Sequence, residues 1–407
     1  MINGRPNAAG ILFAAFTLIG IYPVSADAVE EFISREGKDG NYTVFFTSDR
    51  DIENSQALQK DNRFHTEIYR MNPDGSEAAR LTSEAGMQSF LTPAPDGGRL
   101  YYVQGTDEDT EIAWVTPDGG DRGYLDENFE ANNYYPTLNA AGDRIIFTSV
   151  PNVETYKDND EEIFTMNLET GAKQKITDND LNDSNPAVSP DQTSMVYLQS
   201  RERIVPEGDE NMYSDLKLRA LASRNVLYKY DFQTRKSTPL YKEELHYMYP
   251  VFSPDGRYIA VTVNYGGVNF ETLVLTPSGE EAGAFSFSNY GCGKYHFNSD
   301  SSRLYFMCTE PEETGRQGIY YVDIANRDFN PSVVTEDVFF IKDYALSPDD
   351  KTVFFSGSRS DNYTDWNAWE IYRIGVDGSG LANLTNNNSR EWFVAVGPDA
   401  AGGEEEE

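Results

Sequence analysis

One stretch limits what this chain can fold into more than any other. Residues 249–263 read Tyr-Pro-Val-Phe-Ser-Pro-Asp-Gly-Arg-Tyr-Ile-Ala-Val-Thr-Val, which is a strand, a tight turn and a second strand. In Ser253-Pro254-Asp255-Gly256, Pro presets one turn dihedral and Gly accepts a positive one. From Arg257 onward the run is β-branched and apolar enough for a buried strand. Degenerate copies of the turn stand at Ala94-Pro95-Asp96-Gly97, Asn139-Ala140-Ala141-Gly142, Ser189-Pro190-Asp191-Gln192, Asn298-Ser299-Asp300-Ser301, Ser347-Pro348-Asp349-Asp350 and Gly397-Pro398-Asp399-Ala400. Measured at the Asp or its equivalent, successive spacings are 45, 50, 64, 45, 49 and 50 residues. A recurrence in that range marks a repeat array, and four short strands per repeat make the blades of a β-propeller.

The remainder of each repeat follows the same plan. A variable loop leads to a third strand, as in Glu67-Ile68-Tyr69-Arg70-Met71, Glu162-Ile163-Phe164-Thr165-Met166 and Glu370-Ile371-Tyr372-Arg373-Ile374. A polar turn such as Pro73-Asp74-Gly75-Ser76 comes next, and then a short fourth strand such as Ala79-Arg80-Leu81-Thr82. Second strands fall near Thr43, Leu100, Ile145, Met195, Tyr258, Leu304 and Thr352, which makes seven. The expected fold is all-β, a seven-bladed propeller of four-stranded antiparallel blades.

These motifs carry a family resemblance. Phe-Phe-Thr-Ser-Asp-Arg at 45–50, Glu-Ile-Tyr-Arg-Met-Asn-Pro-Asp-Gly-Ser at 67–76, Arg80-Leu81-Thr82 and the Ser-Pro-Asp-Gly turns resemble the WD40-like repeats of the TolB family of periplasmic propellers. The resemblance covers nearly everything after about residue 40. It implies a fold more than a function, since such repeats also occur in peptidase propellers and pectin-fragment lyases. The chain departs from TolB in showing neither six blades nor a separate N-terminal domain.

Residues 1–28 read as a secretory signal, with Arg5 as the positive segment, an apolar run over 8–22 and Ala26-Asp27-Ala28 as the cleavage site. The propeller then spans 29–400, and 401–407 is an acidic tail. A periplasmic or secreted location follows. The net charge of −34 argues against nucleic acid and against an anionic membrane, so membrane contact is peripheral at most. Acidic residues concentrate in loops at 106–111, 158–162 and 178–183. Their alternating Asp and Asn could supply oxygen ligands to calcium, yet none has the spacing of an EF-hand loop. No cofactor and no metal site is assigned, and a monomer is expected.

In an antiparallel meander, turns after the first and third strands share one face, and loops after the second and fourth share the other. The stereotyped turns therefore lie together, and the long insertions face the opposite way, where binding residues tend to collect. Two sets of side chains stand out there. One enters the innermost strands around the channel: Tyr134 and Tyr135, Tyr247 and Tyr249, Phe339 and Phe340, Arg390 and Trp392. The other leaves the second strands: Arg50, Arg201 and Arg359. Arg50, in Ser-Asp-Arg, is assigned a local structural ion pair. The chosen ligand-binding set is Tyr134, Tyr247, Arg201, Arg359, Tyr363, Trp366, Trp369, Arg390 and Trp392, because aromatics beside Arg stack on sugars or grip peptides. The recurrent Glu67, Glu111, Glu162, Glu271 and Glu370 are too periodic for one active site, and are expected to bond the preceding loop of each blade.

No Gly-x-Ser-x-Gly elbow and no hydrolase domain can be found, so the peptidase reading fails. No catalytic residue is assigned. A lyase of similar fold would need clustered His ligands, and only His65 and His246 occupy loops on the long-loop face, with His296 elsewhere. The favoured function is a non-enzymatic scaffold for a protein, peptide or envelope glycan. The alternative is a carbohydrate-active lyase or hydrolase at the same channel mouth.

Two further expectations concern covalent and topological closure. Residues 30–39 are too polar for an innermost strand, whereas Glu391-Trp392-Phe393-Val394-Ala395-Val396 is a surplus one, so the C-terminal strand should close the first blade beside residues 43–48. Cys292 and Cys308 are the only cysteines, each eight residues from Asp300. A hairpin turning at Asp300 sets them opposite one another, and a disulfide is expected.

Overall fold

The computed structural model describes residues 42–52, 65–84, 86–105, 110–125, 131–151, 161–200, 224–241, 245–265, 269–287, 292–309, 316–335, 339–362, 365 and 368–399. Arg201, Tyr363, Trp366, the signal segment and the acidic tail lie outside these residues, as do two of the acidic loops in whole or part. The described elements are strands. Blade 1 holds β1 (Tyr42–Ser48), β2 (Glu67–Met71) and β3 (Ala79–Arg80). Blade 2 holds β4 (Met87–Pro93), β5 (Leu100–Gly105), β6 (Thr110–Val115) and β7 (Arg122–Tyr124). Blade 3 holds β8 (Ala131–Leu138), β9 (Arg144–Pro151), β10 (Glu162–Asn167) and β11 (Lys173–Lys175). Blade 4 holds β12 (Asp183–Val188), β13 (Ser194–Ser200), β14 (Asn225–Asp231) and β15 (Lys236–Pro239). Blade 5 holds β16 (His246–Phe252), β17 (Ile259–Asn264), β18 (Phe270–Leu275) and β19 (Glu281–Phe285). Blade 6 holds β20 (Cys292–Phe297), β21 (Arg303–Thr309), β22 (Gln317–Asp323) and β23 (Asp328–Val333). Blade 7 holds β24 (Phe340–Leu346), β25 (Thr352–Ser358), β26 (Trp369–Gly375) and β27 (Ala382–Asn383).

The last strand, β28 (Glu391–Pro398), pairs antiparallel with β1 and is the innermost strand of blade 1. Seven four-stranded sheets result, each an antiparallel meander. Innermost strands touch in the order β28, β4, β8, β12, β16, β20, β24 and back to β28, which closes the ring.

The core lies in the seams between blades. Each second and third strand is apolar on both faces, so each sheet offers a dry surface to both neighbours. Apolar clusters fill all seven seams, and the seam of blades 7 and 1 has a second one around Trp369 and Trp392. Leu198 and Leu227 of blade 4 meet Tyr247 and Val261 of blade 5, and Phe354 and Ile371 of blade 7 meet Phe46 and Tyr69 of blade 1. At about 25 cal/mol per Å² of apolar surface buried, these seams supply the main stabilisation.

The turns interlock on their own face. Gly256 takes φ 70°, and the Asp255 carboxylate accepts from the Ser253 hydroxyl (2.7 Å) and the Arg257 N–H (2.9 Å). Asp255 N–H then donates to Ser301 Oγ of the next turn (3.1 Å), and Ser299 N–H donates to Asp350 beyond it (2.9 Å).

Cys292 pairs with Cys308 across β20 and β21, and the two are disulfide-bonded. Beside the turn, Phe297 faces Leu304. That register alone would set Cys292 against Thr309; a bulge after Gly293 shifts it by one residue and brings the sulfurs together.

Three of the recurrent glutamates bond a loop other than the one expected. Glu67 accepts from Thr82 Oγ1 (2.7 Å), Glu162 from Asn179 N–H (2.7 Å), and Glu370 from Asn387 N–H (2.7 Å). These donors belong to the loop after the fourth strand of the same blade, not to the loop before the glutamate. Glu271 follows the expectation: it accepts from Tyr265 Oη (2.8 Å), in the loop between β17 and β18 that precedes it.

Candidate binding site in the central channel

Every innermost strand breaks its pairing with the second strand at the same place. Register shifts fall between Ser89 and Thr92, Tyr134 and Thr137, Ser184 and Ala187, Met248 and Val251, Gly293 and His296, Ile341 and Asp343, and opposite Phe46 to Ser48 in β28. The residue six positions before each turn Asp or its equivalent is Phe90, Tyr135, Asn185, Tyr249, Lys294, Asp343 or Phe393. Five of these seven, from Phe90 to Lys294, hold φ between 52° and 56°. A side chain in that region costs of order 1–3 kcal/mol and persists only where its surroundings over-determine it. In three blades the next residue is Pro136, Pro186 or Pro250, whose missing N–H suits a broken ladder.

Six of these seven side chains meet a neighbouring blade. The Phe393 and Phe90 rings stack at 6.4 Å, and Phe90 meets Tyr135 edge-on at 5.2 Å. The Tyr249 ring lies over Gly293, where an added Cβ would come within 3.0 Å of it. Lys294 Nζ pairs with Asp343 Oδ1 at 3.1 Å. Lys342, beside Asp343, sits over the Trp392 ring at 4.9 Å and the Phe393 ring at 5.7 Å. Tyr249 and Tyr135 remain 50% and 38% exposed, which is unusual for tyrosines on innermost strands. The channel thus has an aromatic arc on blades 1, 2, 3 and 5 and a cationic arc on blades 6 and 7.

Burial and neighbouring charge tune the titratable groups. The Tyr135 phenol is held above its ordinary range by burial, then by Glu161 and Tyr249. Glu161 is itself raised by burial. The Lys342 ammonium is pushed down by burial and by Lys294, against the pull of Asp343.

The sequence-predicted residues separate on this geometry. Tyr134 is half-buried beside Tyr135, with ring centroids 6.5 Å apart. Arg359 is exposed and stacks over Phe339 at 4.7 Å. Tyr247 is fully buried in the seam of blades 4 and 5, because the bulge after Met248 sends Tyr247 into the core and Tyr249 into the channel. Unbroken strand alternation would have kept both on one side. Trp369 is also fully buried, packed with Phe340 and Trp392. Arg390, 1% exposed, lies over Trp392 at 4.5 Å and pairs with Asp49 at 3.4 Å. Trp369 and Arg390 brace the closure seam and Tyr247 the seam of blades 4 and 5, and none of the three has exposed surface to offer a ligand. Phe90, Lys294, Lys342 and Phe393 are the channel residues that sequence reasoning left out, and Tyr249, singled out with Tyr247, was passed over for it in the chosen set; the Tyr-Pro and Asn-Pro dipeptides inside strands were the readable sign of a bulge.

The histidines stand apart. His65 accepts the Gly86 N–H at the seam of blades 1 and 2, His246 opens β16 in blade 5, and His296 is enclosed against Tyr344. Among the described residues no three His, Cys, Asp or Glu side chains are grouped to hold a metal ion. Two surface recesses lie elsewhere, one of about 330 Å³ beside Tyr197, Tyr228 and Arg235, the other of about 430 Å³ beside Arg70, Asp118 and Asp399. Each draws on only two adjacent blades, whereas the channel draws on all seven.

No family model and no curated protein matches the chain. Solved structures do. The propeller domain of the trilobed protease from Pyrococcus furiosus, described as having an open velcro topology, aligns with TM-score 0.56 and 11% identity over 86% of this chain and 94% of that one. Oligogalacturonate lyase from Vibrio parahaemolyticus aligns with TM-score 0.55 and 13% identity, over 72% of this chain and 76% of that one. TolB from Acinetobacter baumannii aligns with TM-score 0.49 and 15% identity, over 83% and 80%. The chain is a seven-bladed β-propeller whose structural neighbours include TolB and other propeller proteins. At these identities the likeness concerns the fold alone.

Proposed function

We propose that this propeller is an exported, non-enzymatic binding scaffold that takes its ligand into the central channel from the long-loop face. The observation that carries the reading is the pair Tyr135 and Tyr249, held on strained backbone with much of their rings exposed toward the axis. Strain of this kind clusters where a protein must present a side chain, and exposed tyrosines supply large contact area at low entropic cost. The Cys292–Cys308 bond supports an oxidising compartment. A metal-dependent lyase would need clustered ligands at this mouth, and among the described residues no three His, Cys, Asp or Glu side chains are grouped to hold a metal ion.

The test is binding of fluorescent extended peptides and oligosaccharides to the wild type, to a Y135A/Y249A double variant and to R359A. Loss of the strongest binder in the double variant, with folding intact by circular dichroism, is the expected result. Equal binding by the double variant and the wild type would remove the channel from the proposal. Turnover of an oligogalacturonate by the wild type would restore the enzymatic alternative.

A further inference from the structure

The cationic arc of the channel is out of keeping with the rest of the molecule. The chain carries a net charge of −34, yet two lysines from adjacent innermost strands face one another's field near the axis. Only one of them forms an ion pair with a carboxylate among the described residues. Lys294 holds Asp343 at 3.1 Å, which commits that acid. Lys342 forms no ion pair among the described residues; its partners are the faces of Trp392 and Phe393. The groups around it are Lys294 from β20, Asp343 on its own strand, and the two aromatic rings from β28. Glu161 lies on the Tyr135 side. A half-buried ammonium facing a like charge has lost hydration, and the one carboxylate that acts on it, Asp343, is already held by Lys294. An anion at this point would restore the balance through charge-assisted hydrogen bonds. The neighbouring surface is aromatic: Phe393 lies under Lys342 and stacks on Phe90, and the exposed Tyr249 lies over Gly293, next to Lys294 in the chain. Remote surface acids do not forbid an anion here, because their fields are screened beyond about 8–10 Å at physiological salt.

We infer that the channel binds a small ring-bearing carboxylate, with its carboxylate on Lys342 and Lys294 and its ring against the aromatic arc. This rests on the channel-binding reading above and narrows it to one ligand chemistry. The backbone bulges have a purpose on this account: they turn Lys294 and Tyr249 to the same axial level on neighbouring blades.

The experiment uses phenylacetate as probe, and phenylacetamide as its neutral counterpart of the same shape. Saturation-transfer NMR follows both against wild type, K342M, K294M and K236M, the last altering an exposed lysine on an outermost strand. Methionine keeps the length and the apolar contact with Trp392, and melting curves confirm that each variant folds. Expected are saturable millimolar binding of phenylacetate, at least about tenfold weaker binding of phenylacetamide, and a similar loss in K342M and K294M but not in K236M. The Lys342 ε-methylene resonance, assigned by its absence in K342M, should titrate at higher pH when phenylacetate is present. Equal binding of acid and amide, undiminished in K342M, would overturn the carboxylate site and leave the aromatic channel standing. No saturable binding of either probe, or an unmoved lysine titration, would also overturn it.

Discussion

Arg50 Nη2 donates to Glu391 Oε1 across 2.9 Å, joining residues 341 apart in sequence at the point where the last strand enters the first sheet. The adjoining residues repeat the link, since Arg390 N–H donates to Asp49 Oδ1 at 2.7 Å. Ser48-Asp49-Arg50 and Arg390-Glu391 are therefore complementary ends of one clasp. It holds where β28 starts, on the long-loop face, while Thr43 Oγ1 donates to Asp399 at the other end.

Closure should be all-or-none. Removing residues 391–407 strips blade 1 of its innermost strand and takes Trp392 and Val394 from two apolar clusters. The expected outcome is loss of a single cooperative transition in differential scanning calorimetry. An unchanged melting peak would show that the ring does not depend on β28.

Stability should vary with pH through Glu391. Its Oε1 takes Ser48, Arg50 and Asn387 as donors, while the buried Oε2 takes none. Burial raises its pKa to about 7, against the pull of Arg50. The folded state thus favours the protonated acid. Its stabilising contribution is complete below the unfolded value of about 4.3 and is lost as pH rises through about 7. Asp183 is shifted in the same direction, also to about 7 and mainly by burial. Urea midpoints at pH 5 and pH 8 should differ less in E391Q than in wild type; parallel profiles would assign the dependence to other groups.

The disulfide closes a short loop, with a sequence separation of 16. On the chain-entropy argument, reducing it or replacing both cysteines by serine should cost about 3 kcal/mol at most. Denaturant midpoints with and without a reductant measure this directly. A loss well above that figure would mean that the sulfurs also matter to the apolar seam in which both are buried.

Gly256 sits at φ 70°, and an added Cβ would meet nothing closer than Pro190 at 3.5 Å. G256A therefore isolates the backbone cost, expected at about 1–2 kcal/mol. Gln192, Ser301 and Asp350 already bear that strain at equivalent places in other turns. No change in G256A would imply that the turn relaxes when glycine is lost.

Salt should raise the melting temperature, because a net charge of −34 makes self-repulsion the main long-range field. Comparing calcium with a chelator at fixed ionic strength separates screening from site binding. A calcium-specific rise would place an ion in one of the acidic loops.

The repeat was legible because its turn chemistry is local: Pro, Asp and Gly fix the turn wherever they stand, and seven copies give seven blades. Closure was legible too, since a surplus apolar strand at one end answers a missing one at the other. The channel was harder to read. Tyr247 and Tyr249 look equivalent under strand alternation, and a one-residue bulge separates them into core and axis. Trp369 and Arg390 look like surface anchors by composition, yet the closure seam buries both. Pairings such as Arg50 with Glu391 depend on the whole ring, and no local pattern encodes them.

The strand that completes the first sheet is also the last to be made. At roughly 5–20 residues per second of synthesis, β28 follows β1 after a delay on the order of tens of seconds. Contacts of such long sequence separation also repay their loop entropy late in folding. Throughout that delay β1 presents an unpaired row of backbone N–H and C=O groups, the kind of edge that recruits a foreign strand. Blade 1 is therefore the oldest part of the ring and the last to be finished. The hazard in this molecule's life is a matter of timing, and it ends when Val394 reaches its place opposite Phe46.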